Sequence, residues 1–342
     1  MARVGIREVA TYAGVSMGTV SHFLNHPDRV SAEKAQRIQS AIDQLGFVRN
    51  NAARQLRLGH STTVAYIAPD VSNPFFATLA EGAEERAAEA GLSVFLANSR
   101  GERQREDSYL ALFQEYGVRG MLVASPLAIE DRLEVIRRRG TPSVLVGRLA
   151  GSDQQPSVSI DDVLGGSLAA THLIDGGHRR IAFVGGPISV QQVSDRLQGA
   201  SNAVRQSGTA TLEVIDVETR LISTGHQIGS AIAARPPAAR PDAIFTANDM
   251  IAIGLAQTLI SSGIDIPGEI AVVGYDNIEY AENAIVPLTS VRPPHEEFGR
   301  AAIELLLEVI DSDKPLADPH RIFAPELVIR GSSRRQRARK RR

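Results

Sequence analysis

The sequence predicts a multidomain chain, with a small all-α head followed by an α/β core of two lobes built on parallel sheets. Three observations predict it. Residues 6–25 read as two short helices around a tight turn, and from Thr62 onward strand-like and helical runs alternate. The third is length: 342 residues exceed what one ordinary hydrophobic core encloses. At 43% hydrophobic and 22% charged, the composition is that of a globular chain and not of a disordered one.

The head comes first. In IREVATYAGVSMGTVSHFLN, Ile6, Val9 and Ala10 place apolar groups at helical spacing, and Ala13-Gly14-Val15 makes the turn. Gly14 suits that turn because it takes a positive φ without a Cβ clash. Ser16 caps the second helix, and Val20, Phe23 and Leu24 face inward. The other face carries Met17, Gly18, Thr19, Ser21 and His22, small or polar and free of acid, as a helix seated in a DNA major groove requires. A third helix over Ala32–Leu45, capped by Ser31 and ended by Gly46-Phe47, closes the small core, with Lys34 and Arg37 on its exposed side. NAARQLRL, Asn51–Leu58, is a helical octapeptide too short to be stable alone and reads as a linker that orders when held.

Strand-like runs then occupy Thr63–Ala68, Ser93–Ala97, Gly120–Ala124, Ser143–Val146, Arg180–Gly185, Glu213–Val217, Ala243–Thr246 and Ile270–Gly274. Helical patterns cover Phe76–Ala90, Arg132–Arg139, Leu164–Asp175, Asp249–Ser262 and His295–Ile310. Such alternation means parallel sheets covered by helices. Eight strands fill either one large sheet or two smaller ones, and two lobes are the arrangement expected here. The extended Asp153–Ile160 segment and Pro-rich Val291–Pro294 read as crossings between two lobes. The expected domains are 1–49 (head), 50–61 (linker), 62–331 (core) and 332–342 (basic disordered tail). Within the core, lobe one takes about 62–160 and 292–320, and lobe two about 161–291 and 321–331.

Charge is distributed unevenly. The formal net charge is -2, yet residues 1–60 carry eight Lys/Arg against four Asp/Glu, and residues 334–342 carry seven Lys/Arg and no acid. The remaining middle is therefore strongly acidic, and a basic head on an acidic body suits a protein whose ends alone approach a polyanion. The tail's charge run reads first as a solvated end and second as extra nonspecific attraction to DNA. Cysteine is absent, which excludes disulfides and thiolate metal sites. No apolar signal core and no run of transmembrane length occurs, so a cytoplasmic protein without membrane contact is expected. GxGxxG after a strand and GxxxxGK[ST] are missing, and no Ser/His/Asp grouping sits on a nucleophile elbow, which disfavours an enzyme. No cofactor or metal is expected; His22 and His26 have the spacing of a metal pair but lack a third ligand.

Six segments in order resemble the Lac repressor family of bacterial transcription regulators: IREVATYAGVSMGTVSHFLN, NAARQLRL, SNPFF at 72–76, HLIDGGHRRIAFVGGP at 172–187, FTANDMIAIG at 245–254 and VVGYDN at 272–277. The resemblance implies a helix-turn-helix head, a hinge helix, and a periplasmic-binding-protein-like core of two doubly wound lobes. It implies a homodimer on pseudo-palindromic operator DNA, controlled by a small effector between the lobes, usually a sugar or a nucleotide-derived metabolite. Base-reading positions then fall at Met17, Gly18 and His22, and phosphate-contacting positions at Ser16, Thr19, Ser21 and Asn25. Gly18 departs from the pattern because it brings no side chain to the groove. In the linker Leu56 matches the leucine that wedges between base pairs, with Arg54 and Arg57 beside the phosphates.

Ligands of open parallel sheets bind beyond the carboxyl ends of strands. There Phe75 and Phe76 offer a stacking wall, with a core role for one of them as the alternative. Arg148 ends its strand, Asp161 opens the second lobe, and Asn248 and Asp276 follow strands where they can bind adjacent hydroxyls. Asp249 is expected to cap the next helix. The resemblance adds Arg196 in SDRLQG, with Gln192 and Arg220 as further candidates. This polar set fits a polyol, and a purine-like or phosphorylated effector stays open. A solute-binding protein with the same core would lack the helix-turn-helix. No apolar heptad follows Arg330, so a dimer is expected over a tetramer.

Overall fold

A computed structural model describes residues 4–48, 61–312 and 314–334. The chain separates into two units, Met1–His60 and Ser61–Arg342. The expected hinge helix, with Arg54, Leu56 and Arg57, lies outside the described residues. Among the described residues no helix is long and apolar enough to cross a membrane.

In the head, α1 (Ile6–Ala13) ends at Gly14, whose φ of 65° lets its N–H return to the Ala10 and Thr11 carbonyls. The hydroxyl of Ser16 accepts from Thr19 N at 3.1 Å and starts α2 (Met17–Asn25). Val9, Ala10, Ala13, Val20, Ile38 and Ala41 form the core beneath α3 (Ala32–Leu45). Ser31 holds the cap position of α3, but its side chain makes no capping bond. Arg37 remains exposed, yet its guanidinium donates to the Ala13 and Gly14 carbonyls at 3.0 and 2.9 Å. It thereby clamps the turn from which α2 leaves.

The core holds two six-stranded sheets. Sheet one contains β1 (Thr63–Ala68), β2 (Ser93–Asn98), β3 (Met121–Val123), β4 (Ser143–Val146), β5 (Ser157–Ile160) and β11 (His320–Phe323), in the order β11-β5-β4-β3-β1-β2 and parallel throughout. Sheet two contains β6 (Arg180–Gly185), β7 (Thr211–Asp216), β8 (Ala243–Thr246), β9 (Ala271–Tyr275), β10 (Thr289–Arg292) and β12 (Glu326–Val328). Its order is β12-β10-β9-β8-β6-β7, with only β12 antiparallel. Both orders reverse after the first strand, so each sheet has a topological switch point, β1/β3 in one and β6/β8 in the other.

The helices are α4 (Pro74–Glu89), α5 (Arg103–Glu115), α6 (Glu130–Arg138), α7 (Asp162–Asp175), α8 (Gln191–Ser207), α9 (Ile222–Ala233), α10 (Asp249–Ser261), the single turn α11 (Glu279–Glu282) and α12 (His295–Asp311). Sequence patterning passed over α5, α8, α9 and α11. In α5 the charged run RQRED masks the few inward residues Leu110 and Phe113, and α8 and α9 bury glycine and alanine where a large apolar stripe would be sought. Those small residues have a packing use: a Cβ on Gly199 would stand 1.9 Å from Val163 O, and one on Gly166 1.9 Å from Arg196 O. The contact of α7 with α8 therefore depends on two missing side chains.

The boundaries shift in three places. Residues 157–160 form β5 and are no crossing segment; the chain crosses after Ile160. Thr289–Arg292 is β10, so the second crossing shortens to Pro293-Pro294. The third falls at 324–325, between β11 and β12, and not at 320. The start of the expected tail is also corrected, because Ser332 and Ser333 are only 1% and 4% exposed. Ser332 Oγ accepts from Thr289 N at 2.8 Å and donates to Val272 O at 2.6 Å, while Ser333 Oγ meets His172 Nε2 at 2.8 Å. Both belong to lobe two.

Candidate functional site

On the head, Ser16, Met17, Gly18 and His22 are exposed, and Thr19, Ser21 and Asn25 are half-buried along the same helix. Met17 is 47% exposed although apolar, which a free helix gains nothing from. The Ser16 and Thr19 hydroxyls lie 2.9 Å apart, and Asn25 Nδ2 donates to Ser21 O at 2.6 Å. Their polar atoms are thus held in position at the two ends of the α2 face.

In the core, the loops after β1, β3 and β4 meet those after β6, β7, β8 and β9 around a cleft. It contains about 630 Å³ of space between atoms, part of it open to solvent. Phe75 and Phe76 form one wall, their rings edge to face at 5.0 Å. Pro74 fixes the first turn of α4 and the Asn73 side chain caps it by accepting from Phe75 N, which aims both rings. Phe75 is nearly buried and also packs on the hydrophobic core, so the wall and core roles coincide in one residue.

The floor is a charged cluster. Arg196, on α8, donates through Nε to Asp162 on α7 at 2.8 Å, and its guanidinium lies 3.5 Å over the Tyr275 ring. Its Nη1 also bonds Ala247 O and stands 3.7 Å from Asp276. All of these groups are buried. Burial pushes the Asp162 carboxyl up, against the pull of Arg196. Burial likewise pushes Asp276 up to about 6, with Arg196 and Asn73 opposing the shift. Asp276 occupies a left-handed backbone position, φ 95°, followed by Asn277 at 47°. Asp249 holds that turn from behind: it accepts from Ile278 N at 2.9 Å and from Ser290 Oγ at 2.7 Å.

The cleft brings together Phe75, Phe76, Gln192, Arg196, Arg220, Asn248 and Asp276. Two other expected residues are not among its lining. Arg148 turns away to pair with Glu130 at 2.8 Å and to meet Leu127 O and Gln191. Asp161 accepts from Leu164 N and caps α7, leaving its neighbour Asp162 to reach Arg196. The cap of α10 is Asn248, whose Oδ1 accepts from Ile251 N, and not Asp249, which is wholly buried. Asn73 and Ser125 also line the cleft. Asn-Pro before a helix signals a cap and conceals a second role for Asn73, and Ser125 sits in no motif.

A head with an exposed reading helix, joined in one chain to a two-lobed core with a polar cleft at its switch points, defines a ligand-responsive DNA-binding regulator. Residues 5–50 match the family model for bacterial regulatory proteins of the lacI family, and residues 170–333 match a periplasmic binding protein-like domain. The chain is 32% identical to the ribose operon repressor of Escherichia coli (strain K12) over 331 residues, which span 96% of this chain and 99% of that one. It is also 32% identical to the transcriptional repressor PurR of Photobacterium profundum over 332 residues, 96% and 98% of the two chains. Among solved structures, a complex of the regulator CelR with cellobiose superposes with a TM-score of 0.70 at 30% identity, covering 96% of this chain and all of that one. A LacI-family regulator from Enterococcus faecium with bound ribose gives 0.71 at 26% identity, covering 79% and 98%. The chain belongs to the lacI family of bacterial transcription regulators.

Proposed function

We propose that the protein represses transcription as a homodimer on a nearly palindromic operator, and that a sugar bound between the lobes sets its operator affinity. The observation that carries the effector reading is the cleft floor. Arg196, Asp276, Asn248 and Asn73 present donors and acceptors within one pocket, beside the paired rings of Phe75 and Phe76. Gln192 adds a buried Oε1 that has no hydrogen-bond partner among the described residues. Planar polar groups beside an aromatic face suit a polyol. The ribose and cellobiose bound in the two similar structures support the same class of ligand.

On the DNA side, Met17 and His22 face base edges, with Met17 suited to a thymine methyl and His22 to an acceptor such as guanine N7. Gly18 allows close approach without reading. Ser16, Thr19, Ser21 and Asn25 contact phosphates, and in the linker Leu56 wedges between base pairs with Arg54 and Arg57 on the backbone. Effector binding changes the angle between the lobes and so the spacing of the paired linkers; the coupling is reciprocal by linkage. The protein is a regulator and not an enzyme. The test is a binding titration on DNA upstream of its own gene, with a panel of sugars and nucleosides. Binding that one sugar strengthens or weakens is expected; no binding under any ligand would overturn the proposal. For the wedge, Leu56→Ala is expected to weaken operator binding at least tenfold, and unchanged affinity would remove Leu56 from the interface.

A further inference from the structure

Two arginines line the cleft, in opposite electrical situations. Arg196 is matched: Asp162 at 2.8 Å, the Ala247 carbonyl, the Tyr275 ring and Asp276 absorb its charge and direct its donors. Arg220, from the loop after β7, is not. Among the described residues its guanidinium makes one hydrogen bond, Nη1 donating to Gly186 O at 2.6 Å. A guanidinium has five N–H groups, so most of its donors are uncommitted. Asp276 and Asp70 act on it only through space, and its like-charged neighbour Arg196 opposes it. Its main chain is fixed, because Asn248 Nδ2 donates to the Arg220 carbonyl at 3.1 Å. The side chain is half-buried and stands where the inner cleft opens into an outer chamber, whose wall includes Asn98 and Arg100 from lobe one and Glu218 and Thr219 from lobe two.

A partly desolvated cation with open donors, its main chain tied to Asn248 at the mouth of a ligand cleft, is arranged for an oxyanion. We propose that Arg220 receives a single anionic substituent of the effector, a phosphate or carboxylate carried on the polyol that the inner cleft holds. Arg100 on the facing lobe adds a second cation to the chamber, so an anion between them would draw the lobes together. Asp70 and Glu218 on the same wall disfavour a ligand that is negative at both ends. The proposal rests on the reading of the cleft as a sugar site.

The test is calorimetric titration of the full-length chain with matched pairs: ribose against ribose 5-phosphate, glucose against glucose 6-phosphate, and glucose against gluconate. Inorganic phosphate alone is the control. At least one anionic member should bind about tenfold or more tightly than its neutral counterpart, the size of a good charge-assisted contact. Which pair shows it separates phosphate from carboxylate. Arg220→Gln should collapse that ratio toward one, and Arg220→Lys should restore part of it. Equal or tighter binding of the neutral members to the wild-type chain overturns this inference and leaves the sugar reading standing. Inorganic phosphate that binds as tightly as the sugar phosphates also overturns it. If no sugar of either kind binds, the sugar reading itself fails, and the inference with it.

Discussion

Replacing Arg196 with methionine tests whether the cleft floor is held by charge compensation. The change keeps much of the side-chain length over Tyr275 but removes the cation beside Asp162 and Asp276, which are both buried. Each stranded carboxyl escapes most cheaply by taking a proton. From an ordinary carboxylate value near 3.8, protonation at pH 7 costs about 4 kcal/mol, at ~1.4 kcal/mol per pH unit. Asp276 already stands at about 6, so its additional penalty is small, and the relief of no longer burying a guanidinium offsets part of the total. The expected loss is about 3–5 kcal/mol at pH 7, the range for removing one partner of a buried pair. At pH 4.5 the carboxylates of the unfolded chain are already partly protonated, and the loss should shrink to about 1 kcal/mol. The measurement is scanning calorimetry of the core transition at pH 4.5 and 7.5. Adding Asp162→Leu to the variant should recover much of the stability at pH 7.5, since an apolar pair can replace a buried ionic one. A loss equal at the two pH values, with no recovery in the double variant, would refute charge compensation and leave packing on Tyr275 as the role of Arg196.

Three further outcomes are expected. Because burial raises Asp276 to about 6, its contribution to stability is full below about pH 4 and is lost as pH rises through 6. Asp276→Asn should flatten that slope and stabilise the core by about 2–3 kcal/mol at pH 8, read by urea denaturation across pH. Arg37→Met frees the Ala13 and Gly14 carbonyls and should cost the head about 1–2 kcal/mol, seen as faster amide exchange in α1 and α2 and weaker operator binding. Deleting 335–342 should leave the core melting temperature unchanged. Deleting 332–342 should lower it by several degrees, because Ser332 and Ser333 satisfy Thr289, Val272 and His172.

The parts of this molecule that are legible in its sequence are those whose geometry is local. Gly14 and Ser16 announce a turn and a cap within four residues, and the structure places both there. Strands β1, β6 and β8, buried on both faces, read as continuous apolar runs. In the edge strand β7 only Leu212 and Ile215 are half-buried and the rest is exposed, so no clean alternation marks its start, and the expected start at Glu213 falls two positions late. β5, β11 and β12 are three or four residues long and owe their existence to neighbours far along the chain, which no local pattern reports. The cleft divides in the same way. Asn248 and Asp276 follow from their strand ends, but the direction a side chain takes does not. Arg148 lies two residues beyond β4 and swings to Glu130, and of the adjacent acids Asp161 and Asp162 only the second reaches Arg196.

The three crossings have a consequence for how the chain is made. The head closes on contacts within residues 6–45, all available early in synthesis. Neither lobe can close so soon: sheet one receives β11 only at residues 320–323, and sheet two needs β12 and the Ser332 latch. A nascent chain therefore displays a finished DNA-reading head long before it has a cleft to govern it. Any product that stops short of the last strands is a reader without a sensor. Its contacts with DNA would answer to no ligand.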